Sequence, residues 1–149
     1  MTKLKQIGVS TLMKYLFPEL LSNIPDYYLQ IGSMVHRKLG YTNAKAFARK
    51  FKNYLILGVP DLIEEDVIVE LKTYFTRNGK KKTEERADVQ ANIYCWLSGF
   101  RYYRVDTYNY QDGKLNIGEV KKANYKRAMK SLEEAIERKE KIEKILKGE

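Results

Sequence analysis

The segment that most restricts the fold of this chain is VIVELK, residues 67–72, a short aliphatic run that ends in a carboxylate and an ammonium group. Its β-branched composition predicts a strand. Because alternate side chains of a strand share a face, Val67, Val69 and Leu71 point toward a core. Glu70 and Lys72 share the other face, with their Cα atoms about 7 Å apart. The strand therefore carries a charged pair directly behind a hydrophobic face.

The residues before this strand predict a hairpin that brings a second carboxylate to it. YLILGV and DVIVELK are separated by DLIEE, which is typical of a strand, a turn and a second strand. Antiparallel pairing through a turn at residues 64–66 would place Asp61, which follows Pro60, near Glu70 and Lys72. Such a set suits phosphodiester hydrolysis, because carboxylates bind a divalent cation and a lysine orients water or stabilises phosphoryl charge. The alternative is an exposed ion pair, which contributes little to stability.

Apolar residues at helical spacing, together with boundary residues, predict four helices. Ser10 is expected to cap the first helix and Pro18 to stop it, while Gly40 is expected beyond the end of the second. The four helices are expected over residues 10–17, 25–40, 83–99 and 121–147. The apolar residues expected to face the core are Ile31, Val35, Leu39, Ala128, Leu132, Ala135, Ile136, Ile142 and Ile145.

The segments between these helices complete the predicted architecture. TNAKAFARK is assigned one or two further helical turns, and TYFTRNGKKK a basic loop with a turn at Asn78-Gly79. FRYYRVDTYNY and KLNIGEV flank Asp112-Gly113, which is typical of a hairpin. The order of helices, strands, helix, hairpin and helix predicts an α/β or α+β protein, one domain over residues 1–149, built around one mixed sheet.

Length, charge and cysteine content exclude several classes of protein. Among the 149 residues, no apolar run approaches the roughly 20 residues that span a bilayer, and the N-terminus lacks a secretory cleavage pattern. Cys95 is the single cysteine, which excludes an intramolecular disulfide and a four-cysteine metal site within one chain. We expect a soluble, cytoplasmic protein. The net charge of +9 favours a polyanionic partner such as nucleic acid.

Four motifs together resemble the PD-(D/E)xK nuclease superfamily. GVPD, followed by ELK with Glu70 nine positions after Asp61, is similar to the signature of the superfamily. Two further motifs resemble its RecB-like branch, which includes the CRISPR-associated exonucleases. GSMVH, ending at His36, is similar to the upstream G-x-x-x-H of that branch, and QANIY, Gln90 to Tyr94, to its Q-x-x-x-Y motif. All four occur in the order found in the family.

The resemblance implies a restriction-endonuclease-like core, in which helices flank a mixed central sheet. Carried over to this chain, it makes His36, Asp61 and Glu70 ligands of Mg²⁺ or Mn²⁺ and Lys72 the catalytic lysine. The residues expected to support the site or to contact the DNA strand are Gln90 and Tyr94. A glycine in a helix costs about 1 kcal/mol relative to alanine, so Gly32 is interpreted as leaving room beside His36.

The function implied is that of a divalent-metal-dependent DNA nuclease acting on single-stranded DNA or strand ends. Many CRISPR-associated members bind an iron–sulfur cluster through four cysteines, and a chain with Cys95 alone is expected to lack it. Two alternatives stay open: a Holliday-junction resolvase or restriction-type endonuclease, and a non-catalytic, nuclease-derived DNA-binding subunit. Self-association and partner proteins from DNA repair or CRISPR systems stay open as well.

Basic residues on both sides of the predicted site are candidates for DNA contacts. One group follows the strand that carries Lys72, and the other is interleaved with tyrosines in RYYRVDTYNY, where aromatic rings can stack on unpaired bases. A solvated loop and packing within the protein are the respective alternatives. The candidate DNA-binding residues are Lys80, Lys81, Lys82, Arg101 and Arg104.

Overall fold

The structure, a computed structural model, describes residues 3–21, 26–42, 45–75 and 77–148. Within these residues, helices and strands follow one another in the mixed α/β order expected from the sequence. The helices are α1 (Val9–Leu16), α2 (Asp26–Lys38), α3 (Arg77–Ser98) and α4 (Tyr125–Leu146). The strands are β1 (Lys5–Gly8), β2 (Phe47–Phe51), β3 (Tyr54–Gly58), β4 (Leu62–Glu64), β5 (Val67–Tyr74), β6 (Tyr102–Asn109), β7 (Lys114–Asn116) and β8 (Lys121–Lys122). No helix in this part of the chain is both long and apolar enough to cross a membrane.

The described strands form two mixed sheets, whereas the sequence predicted one. Three strands have the order β1-β3-β2, with β1 parallel and β2 antiparallel to β3. The second sheet has the order β4-β5-β6-β7, with β5 parallel to β6, and β8 pairs antiparallel with the beginning of β6. Pro60 accounts for the separation, because it has no N–H to donate to a ladder. β3 therefore ends before it, and the chain enters the second sheet at Leu62.

The hairpin predicted before Lys72 is confirmed for its last part only. β4 pairs antiparallel with β5, with Glu64 opposite Val67. The turn residues Glu65 and Asp66 have φ angles of 48° and 65°, the left-handed conformation that a two-residue hairpin turn favours at both positions. YLILGV forms β3 in the other sheet, so the predicted pairing of that segment with β5 is wrong.

β5 is buried on both faces, which places Glu70 inside the protein. Ile68 belongs to a core formed with α1, α3 and α4, whereas Val69 and Leu71 form a second core with Tyr41 and part of α2. Helix α3 packs on one face of β5, and Tyr41 with part of α2 packs on the other. Glu70 is consequently only 1% exposed.

The start of α3 differs from the prediction. The expected loop with a turn at Asn78-Gly79 and a helix from Thr83 is wrong, because α3 begins at Arg77 and Thr83 is buried within it. A glycine disfavours a helix by only about 1 kcal/mol. The first turns gain contacts with the end of β5, where Lys80 Nζ lies 5.8 Å from the centre of the Tyr74 ring. Tertiary contacts thus outweigh the local turn preference.

The end of TNAKAFARK belongs to a strand, so the predicted helical turns are wrong there. Its described part contains β2, and residues 43–44 lie outside the described residues. Phe47 packs edge-on against Phe100, and Phe51 packs edge-on against Trp96. These aromatic contacts and the pairing with β3 outweigh the helix propensity of Ala, Lys and Arg.

Two helix starts also differ from the prediction. Gly8 rather than Ser10 occupies the N-cap of α1, because the helix follows β1 without a loop. α4 begins at Tyr125, since Lys121–Lys122 first pair with β6 as β8. The side chain of Asn124 then caps α4 by accepting a backbone N–H from its first turn.

The remaining helix and turn predictions are confirmed in part. Gly40 follows α2 with a φ of 80°, and the Asp112-Gly113 hairpin joins β6 to β7. The predicted core residues that are buried in α4 are Ala128, Leu132, Ala135 and Ile136. The predicted core residues that are instead exposed are Leu39, Ile142 and Ile145. The two isoleucines belong to the last turns of α4, which extend past the core.

Candidate active site

Asp61 and Glu70 are connected through the backbone where the chain passes from one sheet to the other. The N–H of Asp61 donates to Glu70 Oε1 (3.2 Å), and the N–H of Leu71 donates to Asp61 Oδ2 (2.8 Å). Pro60, which is buried, directly precedes this connection. The Asp61 carboxylate is therefore held by the strand that carries Glu70, and the two carboxylates lie close together as the sequence predicted.

His36 reaches the same carboxylate from α2. Its Nε2 lies 3.3 Å from Asp61 Oδ2, and its Nδ1 lies 2.7 Å from the carbonyl oxygen of Gly32. Since a carbonyl only accepts hydrogen bonds, Nδ1 carries the proton of the neutral ring, and the Nε2 lone pair faces the carboxylate. Two facing lone pairs require a proton or a cation between them. Metal-binding histidines commonly donate their second N–H to a backbone carbonyl, which is the arrangement seen here.

The two carboxylates differ in their electrostatics. Burial and the neighbouring Asp61 charge raise the pKa of Glu70 well above its ordinary value. Burial acts to raise the pKa of Asp61 too, but the hydrogen bond with His36 and the charge of Lys72 bring it below its ordinary value. The hydrogen bond with Asp61 raises the pKa of His36 against the opposing effect of burial. The buried Glu70 carboxylate and the partly buried Asp61 carboxylate favour a positive charge between them.

The chemistry of these donors fits a divalent cation. An imidazole nitrogen and carboxylate oxygens suit Mn²⁺, and carboxylate oxygens suit Mg²⁺. Among residues 3–21, 26–42, 45–75 and 77–148, no group of three His, Cys, Asp or Glu side chains is close enough to form a complete metal site. The structure provides one preformed pair, His36 with Asp61, and a further carboxylate, Glu70, hydrogen-bonded to the backbone of Asp61.

A cavity of about 450 Å³ adjoins His36, whereas Asp61 and Glu70 are not among its lining residues. Its wall includes His36, Lys72 and Gln90, so three of the predicted site residues meet around one space. Its other polar lining residues, which the sequence did not predict as site residues, are Ser10, Lys14, Thr73, Thr83 and Arg86. Arg86 precedes Gln90 by one helical turn, so the two side chains share a face of α3. This spacing could have identified Arg86 as a site residue from the sequence. Ser10 and Lys14 have no such signal, because only the tertiary fold brings α1 to the cavity.

Tyr94 lies deeper than Gln90 on the same face of α3. Gln90 Nε2 donates to Tyr94 Oη (3.3 Å), and Tyr94 is buried. Burial and the nearby charge of Glu70 raise the pKa of the Tyr94 phenol. Gly58 permits this packing, because a Cβ atom there would lie 2.7 Å from Tyr94 Cε1. The glycine of the GVPD motif thus lets α3 approach β3.

The predicted DNA-binding residues fall into separate places. Lys80–Lys82 lie in the first turns of α3, beyond the end of β5 that carries Lys72. Arg101 precedes β6, six residues before the register partner of Lys72, which is roughly 20 Å along the strand. Arg104 binds the buried carboxylate of Asp106, with Nε 2.8 Å from Oδ1. The lysines therefore lie beyond the end of β5 nearest Lys72, and Arg101 lies at the opposite end of β6. Arg104 lies beside Val69 in register, but its guanidinium is committed to Asp106.

Gly32→Ala is expected to raise the free energy of unfolding by about 1 kcal/mol, because alanine is the better helix residue. The nearest atom to a Cβ atom there would be Tyr110 Oη at 3.7 Å, an ordinary contact. Urea unfolding followed by the fluorescence of Trp96 measures the change. Gly99→Ala is the matched control: its φ of 85° is strained for alanine, so stability should fall. A loss of stability in Gly32→Ala would show that a Cβ atom is not accommodated beside Tyr110.

No protein-family model and no curated protein matches the sequence. Among solved structures, the crystal structure of SSO0001 is similar, with a TM-score of 0.67 and 17% identity over 91% of this chain and 77% of that one. A phage-related exonuclease from Haemophilus somnus 129PT is similar at a TM-score of 0.47 and 14% identity, over 87% of this chain and 76% of that one. The similarity to SSO0001 shows a common fold and, at this identity, the fold alone.

Proposed function

We propose that the chain is a divalent-metal-dependent DNA nuclease that hydrolyses phosphodiester bonds in single-stranded DNA or at strand ends. The contact between His36 Nε2 and Asp61 Oδ2, beside the buried Glu70, carries the proposal. The facing nitrogen and carboxylate require a positive charge between them, and a divalent cation would supply it in place of a proton. The motifs that resemble the PD-(D/E)xK and RecB-like nucleases support the same function, because their residues are the ones that meet here.

The residues around this contact have distinct chemical roles in the proposal. His36, Asp61 and Glu70 would hold Mg²⁺ or Mn²⁺, which supplies Lewis acidity toward the phosphoryl group and lowers the pKa of a bound water. Lys72, on the cavity wall, positions the attacking water or stabilises negative charge on the phosphoryl oxygens. The cofactor is therefore proposed to be Mg²⁺ or Mn²⁺, without an iron–sulfur cluster.

Residues of α1 and α3 line the part of the cavity where the DNA substrate would bind. Gln90 is oriented by its hydrogen bond to Tyr94 and faces the same space as Lys72. Lys14 and Arg86 add positive charge to the wall. Cationic side chains around the cavity suit the phosphates of a DNA strand, which position a nucleic acid without reading its sequence.

Incubation with end-labelled single- and double-stranded DNA in Mg²⁺, Mn²⁺ or EDTA tests the proposal. Cleavage is expected with either ion and not in excess EDTA. A restriction-type endonuclease or junction resolvase would cut a duplex or a four-way junction internally, and a non-catalytic subunit would bind DNA without cutting it. Undiminished cleavage in excess EDTA would remove the metal from the proposal.

His36→Ala and Lys72→Ala are expected to fail in different ways. Loss of the imidazole should weaken Mn²⁺ binding, so a higher Mn²⁺ concentration should restore part of the cleavage rate. Loss of the lysine should leave Mn²⁺ affinity near that of the parent and abolish cleavage at every Mn²⁺ concentration. Calorimetric Mn²⁺ titration and cleavage rates measure both effects. Lys52→Ala, an exposed lysine paired with Glu133, is the control that should cleave normally.

Rescue of Lys72→Ala by added Mn²⁺, without rescue of His36→Ala, would show that the two roles are exchanged. Equal Mn²⁺ affinity in His36→Ala and the parent would remove His36 from the proposed ligands.

A further inference from the structure

We infer that Phe75 and Tyr110, the aromatic platform, stack on an unpaired base of the substrate, and that Lys80 and Lys81 bind the adjacent phosphates. The inference rests on the proposed function and names the substrate that it favours. This substrate is single-stranded DNA that runs from the cavity at Lys72 across the ends of β5 and β6.

The two platform rings are held by the ends of parallel strands. Phe75 directly follows β5 and Tyr110 directly follows β6, with ring centroids 4.5 Å apart and planes 25° apart. The N–H of Tyr110 donates to the carbonyl of Tyr74 (3.1 Å), and the ring of Tyr108 packs edge-on against Tyr110. Tyr110 is therefore fixed within the fold, whereas Phe75 is 42% exposed. An exposed ring of this kind can receive a base, because every base has a π-face.

The platform adjoins the candidate active site. Phe75 is three residues beyond Lys72, about 10 Å along the chain. Tyr110 Oη would lie 3.7 Å from a Cβ atom at Gly32, the residue whose carbonyl oxygen holds His36. A DNA strand positioned for cleavage beside Lys72 and His36 therefore reaches the platform within its neighbouring nucleotides.

A groove that Phe75 helps to line is suited to phosphates. It has a volume of about 640 Å³ and is lined by Lys80 and Lys81 together with Glu84 and Asp112. Both carboxylates already have partners, since Glu84 lies 3.7 Å from Lys80 Nζ and Asp112 accepts a backbone N–H within its own turn. Exposed pairs of this kind contribute little to stability, so a phosphate displaces Glu84 from Lys80 at small cost.

Single-stranded DNA is favoured over a duplex for a geometric reason. Stacking on the platform requires a base whose face is open, and the bases of a duplex are covered by their neighbours. The phosphates of both forms can contact the lysines. The platform should therefore contribute to the affinity for single strands and not to the affinity for duplexes.

Fluorescence anisotropy with labelled oligo(dT) and with a duplex of equal length, both in EDTA, tests the inference without cleavage. Phe75→Ala is expected to weaken oligo(dT) binding about 10-fold, the effect of losing one base stack, and to leave duplex affinity unchanged. Phe75→Trp retains a stacking face and should bind oligo(dT) as tightly as the parent. Tyr102→Ala, which removes a ring 47% exposed at the other end of β6, is the matched control that should bind normally.

The lysines are tested through the salt dependence of oligo(dT) binding. Lys80→Ala and Lys81→Ala should each reduce the slope of log affinity against log salt concentration by about 0.7. Lys52→Ala, in the turn between β2 and β3, should leave the slope unchanged.

Two results would overturn the platform: parent-like affinity of Phe75→Ala for oligo(dT), or an equal loss on both forms of DNA. A parent protein that cleaves duplex DNA but does not bind oligo(dT) would overturn it as well. The proposed function is decided separately by the cleavage assay. If the protein binds oligo(dT) through Phe75 but never cleaves DNA, the aromatic platform is supported and the nuclease function is excluded.

Discussion

Glu70→Gln is expected to lower the rate of DNA cleavage by at least about 100-fold at saturating Mn²⁺, the effect of removing one preorganised charge from a reaction centre. The substitution keeps the shape of the side chain and an oxygen that accepts the N–H of Asp61. It removes the negative charge that the proposed cation requires.

The same substitution should not destabilise the fold. Glu70 is 1% exposed, and burial raises its pKa well above the ordinary value, so an uncharged side chain is compatible with its surroundings. Cleavage rates, Mn²⁺ affinity and thermal unfolding of the variant separate loss of function from loss of structure. Glu133→Gln, a half-exposed glutamate on α4, is the control that should cleave like the parent. Full activity of Glu70→Gln would exclude the carboxylate from the reaction.

Asp106→Ala is expected to lower the free energy of unfolding by about 3–5 kcal/mol, the cost of breaking a buried ion pair. Asp106 is fully buried and accepts four hydrogen bonds. Two come from the Arg104 guanidinium, one from Tyr41 Oη (2.6 Å) and one from the N–H of Gly118 (2.9 Å). Alanine leaves these donors without their acceptor. Urea unfolding followed by Trp96 fluorescence measures the loss.

Glu64→Ala is the matched control for Asp106→Ala. Glu64 also contacts the Arg104 guanidinium, at 3.3 Å, but it is about half-exposed. Exposed pairs contribute at most about 1 kcal/mol, so this variant should be nearly as stable as the parent. Equal losses in the two variants would contradict the structural role of Asp106. Arg104 was predicted from the sequence to contact DNA. Its guanidinium instead binds the carboxylates of Asp106 and Glu64 within the protein.

Local secondary structure was predictable from the sequence where the side-chain pattern strongly favours one conformation. The turn before β5 was predicted from the two aliphatic runs that flank it, and Glu65 and Asp66 form it at positive φ. The prediction was wrong where the local preference was weak. The Asn78-Gly79 pair became part of α3, because a penalty of about 1 kcal/mol is smaller than the gain from packing against β5.

The candidate site was predictable as a set of residues and not as an arrangement. The alternation of side chains in β5 places Glu70 and Lys72 on one face of that strand. The four-residue spacing of Gln90 and Tyr94 places both on one face of α3. These relations depend on the geometry of a single element. The sequence therefore established which side chains share a face of β5 and which share a face of α3.

Only the tertiary structure decided what covers each face. Alternation in β5 does not show that helices pack on both sides, so the burial of Glu70 was not predictable. The contact of His36 with Asp61 joins α2 to the connection between two sheets, and Arg86 meets Lys14 at the cavity because α1 packs near α3. The periodicity of a helix or strand determines which of its own side chains are neighbours. Contacts between elements depend on the packing free energy of the whole chain.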